Sequence, residues 1–223
     1  MGQKVCPTGL RIGITETWRS RWYATKQKFG EYVVEDEKIR RFIKRNYQFA
    51  GIPKIEIERT REQVTVIIHC ARPGLLIGRK GVEVERLKAE LFDLIKKPLE
   101  VSVQEVPQPE LSAQLVAEDV AQQLERRSSF RQTLKKAAEM TMAAGALGIK
   151  ILISGRLGGS ELARRESVLL GSIPLNTLTA KIDYGLGVAK TKYGTIGAKV
   201  WINNGLLPPG ERMLEEPQDA PNA

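Results

Sequence analysis

The chain has 223 residues, 42% of them hydrophobic but only 6% aromatic, which is material for one large or two small aliphatic cores. A net charge of +9 and a pI near 9.6 point to an anionic partner, either nucleic acid or an acidic membrane surface. Two cysteines, Cys6 and Cys70, and one histidine, His69, exclude a Cys/His zinc site and a disulfide framework, which suits a reducing cytoplasm.

No run approaches the ~18 apolar residues of a membrane span, and the start is not a signal peptide. "MGQKVC" misses the myristoylation pattern at Cys6, so Met1–Cys6 reads as an ordinary terminus. The charge is uneven. Residues 1–50 hold 11 Lys+Arg against 5 Asp+Glu, residues 107–207 hold 13 against 8, and residues 208–223 hold 1 against 4.

In chain order, residues 1–35 read as a basic N-terminal arm. Within it "WRSRWY" (Trp18–Tyr23) alternates aromatics with Arg19 and Arg21, a mixture that stacks on unpaired bases and holds phosphates. The alternative is that the tryptophans pack on the next domain while the arginines are solvated. Asp36–Ala50 is expected as a helix capped by Asp36 and ended by Gly51 and Pro53. Lys54–Arg59 and Val64–Cys70 alternate as two strands of a hairpin, with His69 pointing away from the Cys70 face as a surface or interface residue rather than a catalyst.

A short apolar turn leads into "GRKG" (Gly78–Gly81), then a helix over Val82–Lys96 and a strand over Leu99–Val106. Pro107 and Pro109 mark a boundary. Helices are expected at Glu110–Arg127 and Phe130–Ala144, a strand at Ile149–Ser154, and a glycine-rich turn into a short helical piece at Gly155–Glu166. Two or three further strands follow, the clearest at Thr177–Tyr184 and Ala198–Asn203. Residues 208–223 read as a disordered acidic tail.

Gly-x-x-Gly occurs four times, at Gly78–Gly81, Gly145–Gly148, Gly155–Gly158 and Gly194–Gly197. Only the first places two cations, Arg79 and Lys80, between the glycines and leads into an amphipathic helix. A helix start offers free N–H groups and a positive dipole end to phosphate, and this is how a KH module clamps about four backbone nucleotides. Farther on, Arg126, Arg127, Arg131, Lys135 and Lys136 suggest a cationic helical surface, with positions 127, 131 and 135 aligned at i, i+4 and i+8. Arg156, Arg164 and Arg165 form a second candidate phosphate-contact group.

The order helix–strand–strand–helix–GxxG–helix–strand over residues 36–106 is that of a type II KH domain. The fold class expected is α+β: this N-terminal type II KH domain, then a C-terminal two-helix domain with a mixed or antiparallel sheet over residues 107–207. "MGQKV", "RPGLLIGRKG" (Arg72–Gly81), "QLERRSSFRQTLKKA" (Gln123–Ala137), "GIKILISGRLGGSELAR" (Gly148–Arg164), "IPLNTL" (Ile173–Leu178), "IDYG" (Ile182–Gly185) and "YGTIGAKVWI" (Tyr193–Ile202) occur in that order. Together they resemble the family of the third protein of the bacterial small ribosomal subunit, the universal uS3 family, over about residues 1–207.

The resemblance implies a cytoplasmic, non-catalytic component of the head of the small subunit, without cofactor or metal. It implies binding of small-subunit rRNA, a place beside the channel by which mRNA enters, and small-subunit proteins ten and fourteen as neighbours. It extends the RNA contacts to Arg72, Gly78 and Gly81. The family's role in unwinding structured mRNA falls on Arg131 and Lys135, while its usual second arginine is Gln132 here, which halves the pair. Cys6 stands in place of a usual histidine, Ser167–Leu175 is less basic and aromatic than is common, and the tail is acidic where many members are basic.

Two other readings compete. A nucleotide-dependent enzyme carrying a KH module is disfavoured because "GRLGGSE" lacks the spacing of a phosphate-binding loop. A free KH regulator of mRNA has the same residues but works away from ribosomes.

Overall fold

The computed structural model describes residues 5–60 and 63–207, apart from the side chain of Lys80. The expected tail at residues 208–223 and the first four residues lie outside that range. The chain divides into two compact units: Trp18–Pro107, and the residues up to Thr17 together with those from Gln108 onward. The 35 residues expected as one arm are therefore shared between the two units.

The Trp18–Pro107 unit holds β1 (Ser20–Arg21), α2 (Lys26–Asn46), β2 (Lys54–Arg59), β3 (Val64–Cys70), α3 (Pro73–Ile77), α4 (Val82–Ile95) and β4 (Leu99–Glu105). The sheet order is β1-β2-β3-β4, antiparallel between β2 and β3 and parallel at both outer pairs. Alternation works as expected in β3, whose Val64, Val66, Ile68 and Cys70 are buried. They join Ile39 and Ile43 of α2 and Leu87, Leu91 and Ile95 of α4 in an aliphatic core. The expected apolar turn before "GRKG" is the short helix α3.

Helix α2 corrects the sequence reading. It begins ten residues early, at Lys26, so Asp36 is not a cap but a mid-helix carboxylate, 2% exposed. Asp36 accepts hydrogen bonds from Ser20 Oγ (2.8 Å), Trp22 Nε1 (2.8 Å), and Arg59 Nε and Nη2 (2.9 and 2.6 Å). Arg59 also reaches Glu35 at 2.6 Å, and Lys97 donates to Glu35 at 2.9 Å. Buried ions persist only when paired and hydrogen-bonded, and here the pairing draws Trp22 inward. Its ring meets Phe29 and Tyr32 at 5.4 and 5.5 Å. Trp22 thus stacks on protein, whereas Trp18 stays 63% exposed.

The opposite face of this sheet carries a polar cluster. Glu56 is nearly buried and takes Lys54, Arg21 (2.9 Å) and, at 3.6 Å, His69. Burial alone would raise the Glu56 carboxyl, but the Lys54 hydrogen bond and the cations around it bring its pKa below the ordinary value. His69 is shifted down as well, chiefly by burial.

The other unit begins with α1 (Pro7–Arg11) and continues with α5 (Ala113–Glu125), α6 (Phe130–Ala143), β5 (Gly148–Gly155), β6 (Arg164–Gly171), β7 (Ala180–Thr191) and β8 (Gly194–Leu206). Its sheet runs β6-β5-β8-β7, antiparallel throughout. Ile149, Ile151 and Ile153 of β5 and Ile196, Val200 and Ile202 of β8 pack with α5 and α6 in its core. Arg11 is fully buried and bonded to backbone alone. It donates to the carbonyls of Pro7, Pro174, Leu175, Thr177 and Ala180 at 2.8–3.4 Å, tying α1 to the segment before β7.

Three expectations fail in this unit. The strand expected at Thr177–Tyr184 starts too early and stops too soon, since Thr177–Thr179 precede β7 and β7 runs on to Thr191, and the one expected at Ala198–Asn203 is the middle of the much longer β8. Gly185 and Gly187 do not interrupt β7, because a Cβ there would stand 2.1 and 2.3 Å from the carbonyl oxygens of Ala113 and Ala117. They let α5 lie directly on the sheet. The short helical piece expected within Gly155–Glu166 is a single 3-10 turn, Leu157–Gly159, and Arg164 and Arg165 begin β6. Arg127 does not continue the line of Arg131 and Lys135, since α5 ends at Glu125 and Arg127 turns the chain at φ 61°.

Asp36→Ala strands the guanidinium of Arg59, whose side chain is 4% exposed. We expect a loss of about 3–5 kcal/mol in urea unfolding followed by tryptophan fluorescence; a loss within ~0.5 kcal/mol would refute the hub. For His69, a depressed folded pKa means that the unfolded chain takes up the proton first. The stabilisation is therefore complete above about pH 6.5 and declines as pH falls through the folded pKa. His69→Gln should flatten the stability profile between about pH 7 and 5, leaving the steeper loss at lower pH to Glu35 and Glu56, both shifted down. An unchanged profile would contradict this assignment.

Candidate nucleic-acid interface

The loop between α3 and α4 is set by its two glycines. Gly78 has φ 71° and ψ −173°, a region open in practice to glycine alone, and a Cβ there would stand 2.6 Å from Glu83 Cγ. Gly81, at φ 81°, is the N-cap of α4. Between them Arg79–Gly81 forms one 3-10 turn that delivers the chain onto the helix. The N-cap Gly81 has no side chain to cap α4, and the Val82 amide donates to the Arg79 carbonyl, so the amides after it, with the positive end of the dipole of a 14-residue helix, are what the start of α4 offers an anion.

Arg79 is exposed at this mouth, and Arg72, also exposed, stands at the other end of α3. The backbone thus brings Arg72, Gly78, Arg79, Lys80 and Gly81 together within ten residues. Sequence reasoning passed over Leu75, Ile77 and Val82, which are 49%, 40% and 59% exposed around the same loop. The signal was available, because a three-residue apolar run on a five-residue helix cannot bury every member. Leu75, Ile77 and Val82 leave an exposed aliphatic patch beside the start of α4.

The other Gly-x-x-Gly matches do not share this geometry. Gly145–Gly148 joins α6 to β5, Gly155–Gly158 closes β5 into the 3-10 turn, and Gly194–Gly197 opens β8. None of them starts a helix of more than three residues.

The remaining candidates differ in freedom. Arg19 is exposed, and its carbonyl accepts the Ile57 amide at 2.9 Å. Arg21 is engaged by Glu56 and by Glu58 at 2.6 Å, so much of its charge is answered within the protein. Arg131, Gln132, Lys135 and Lys136 lie on the exposed face of α6, whose other face buries Leu134, Ala137 and Ala138. Lys135 is 3.8 Å from Glu139, an exposed i,i+4 pair that restrains it little. Arg127 is exposed on the turn before α6.

Arg156 is partly occupied, donating to the Ser160 carbonyl at 2.8 Å and the Tyr193 carbonyl at 3.3 Å. Arg164 and Arg165 are exposed at the start of β6, with Arg164 opposite Gly155. Among the described residues no cluster of His, Cys, Asp and Glu could hold a metal ion, and no helix is long and apolar enough to cross a membrane. The arrangement carries out no bond chemistry that we can identify. What it offers is exposed cations on two separate units.

Comparison with known proteins agrees with this architecture. Residues 38–111 match the KH domain family, and residues 120–202 match the family described as Ribosomal protein S3, C-terminal domain. The Small ribosomal subunit protein uS3 of Rhodopirellula baltica is 58% identical over 210 residues, covering 92% of this chain and 89% of that one. Its counterpart in Syntrophomonas wolfei is 52% identical over 219 residues, covering 98% and 96%. That of Coprothermobacter proteolyticus is 49% identical, with both chains covered fully. An α+β chain of a KH domain followed by an S3 C-terminal domain, at such identity over nearly its whole length, belongs to the uS3 family of small ribosomal subunit proteins.

Proposed function

We propose that this chain is a non-catalytic structural component of the small ribosomal subunit that binds small-subunit rRNA. It sits in the head of the subunit, beside the channel by which mRNA enters, with small-subunit proteins ten and fourteen as neighbours. The observation that carries the RNA-binding reading is the Gly78–Gly81 loop, where two left-handed glycines bracket Arg79 and Lys80 in the chain directly before α4 and Arg79 is exposed. The family relationship supports the ribosomal setting. The exposed Arg131 and Lys135 on α6 support a part in mRNA entry.

A sucrose gradient of cell extract, probed for the protein at low and moderate salt, tests the ribosomal placement. Co-migration with the small subunit through the salt wash is expected; protein held at the top of the gradient would favour a free regulator of mRNA instead. For the loop, Arg79→Asp with Lys80→Asp should weaken RNA binding at least about tenfold and flatten its salt dependence, since released counterions drive such contacts. Circular dichroism should stay unchanged, and equal affinity would refute the phosphate clamp.

Gln132 stands at an exposed position between two cations on α6. In ribosomes carrying Gln132→Arg, passage through a stable mRNA hairpin should speed up relative to the natural chain, and Arg131→Ala with Lys135→Ala should slow it. Rates that do not respond to either change would remove α6 from mRNA handling.

A further inference from the structure

One end of the β6-β5-β8-β7 sheet holds an aromatic ring that the core does not need. Tyr193 lies in the tight turn between β7 and β8 and is 57% exposed. Exposed rings in turns are normally mobile, but this one is held. The Gly159 backbone lies against it, so closely that a Cβ on Gly159 would stand 2.9 Å from the ring. Gly159 reaches that position at φ 84°, after Gly158 at φ 65°.

The guanidinium of Arg156 lies 5.8 Å from the ring centroid, fixed by its bonds to the carbonyls of Ser160 and Tyr193. Two left-handed glycines and an arginine bound to two carbonyls thus position a side chain that contributes little to burial. Such pre-organisation lowers the ordering cost of a contact made from outside.

The surroundings say what that contact would be. The antiparallel register sets Arg164 opposite Gly155 and Arg165 opposite Ser154, while Lys190 pairs with Thr195 beside the turn that contains Lys192. A Cβ on Gly155 would be 2.9 Å from the Thr195 carbonyl, so the two loops lie side by side. The carboxylates at this end are Glu161, Glu166 and Glu125. Glu125 is committed to the Lys190 amide at 2.8 Å. A fixed, exposed ring next to Lys192, at a sheet end that also carries the exposed Arg164 and Arg165 on its two faces, has the chemistry of a single-stranded nucleic-acid platform, where a base stacks and its phosphates meet cations.

We propose that Tyr193 stacks on an unpaired base of RNA, with Arg156 and Gly159 as positioning residues and Arg164, Arg165 and Lys192 as phosphate contacts. This site is separate from the Gly78–Gly81 loop and rests on the RNA-binding reading above.

The test uses the full chain with a fluorescently labelled single-stranded RNA of about ten nucleotides and a perfect RNA duplex, measured by anisotropy. Tyr193→Ala should weaken single-strand binding by about tenfold. Tyr193→Phe should keep it, and neither should change duplex binding. A single strand carrying 4-thiouridine should cross-link to Tyr193 in the natural chain. Tyr193→Ala binding the single strand as tightly as the natural chain, or losing duplex and single strand alike, would overturn the stacking site while leaving the RNA-binding reading intact. Failure of the natural chain to bind either RNA would overturn both.

Discussion

A carboxylate and a guanidinium with almost no access to water set the shape of the Trp18–Pro107 unit. Asp36 and Arg59 are 3% and 4% exposed at their side chains and meet at 2.6 Å. Neither charge could be buried alone, so α2 must pass over the end of β2 where Arg59 emerges. The remaining lone pairs of Asp36 need donors, and Ser20 and Trp22 supply them. That requirement draws β1 against β2 in parallel register. The unit's fourth strand and the inward turn of Trp22 both follow from one buried pair. Arg11 does comparable work in the other unit with carbonyls in place of a carboxylate.

The cations left over are the ones available to an anionic partner. Arg59 is consumed in the interior, and Arg21 and Lys54 are answered by Glu56. Arg72, Arg79, Arg131, Arg164 and Arg165 are exposed, and no ion pair is formed by them among the described residues. Net charge alone does not make this distinction. The excess that attracts a polyanion is concentrated on short, glycine-shaped turns and on one helix face, each with a rigid sheet or aliphatic core behind it. Rigid backing keeps the ordering cost of binding low, so that counterion release is not spent on fixing the protein.

Much of the fold was legible because its strands and helices have clean periods. Val64–Cys70 alternates without exception, and Val82–Ile95 repeats leucines at helical spacing, so local pattern and tertiary burial agree. The Gly78–Gly81 loop was legible for a different reason: two glycines around two cations, directly before such a helix, leave few other uses for that composition. The reading failed where one residue type serves two purposes. Asp36 is a good cap by composition, yet it is a buried acceptor. The strand expected to end at Tyr184 runs on through Gly185 and Gly187, which are points where α5 touches the sheet. Arg127 falls at helical spacing from Arg131, but a left-handed turn takes it off the helix axis.

The sequence by itself determined the class, the order of elements over residues 36–106, the aliphatic character of both cores and the position of the cationic loop. These depend on residues near one another along the chain, and hydrophobic period and backbone freedom are local properties. The tertiary structure decided which charges remain available to a partner, because pairing depends on strands and helices that sequence distance does not bring together. It also decided that Tyr193 is a held ring rather than a loose one. Its support, Gly159 and Arg156, lies more than thirty residues away and reaches it only when β5 and β8 pair.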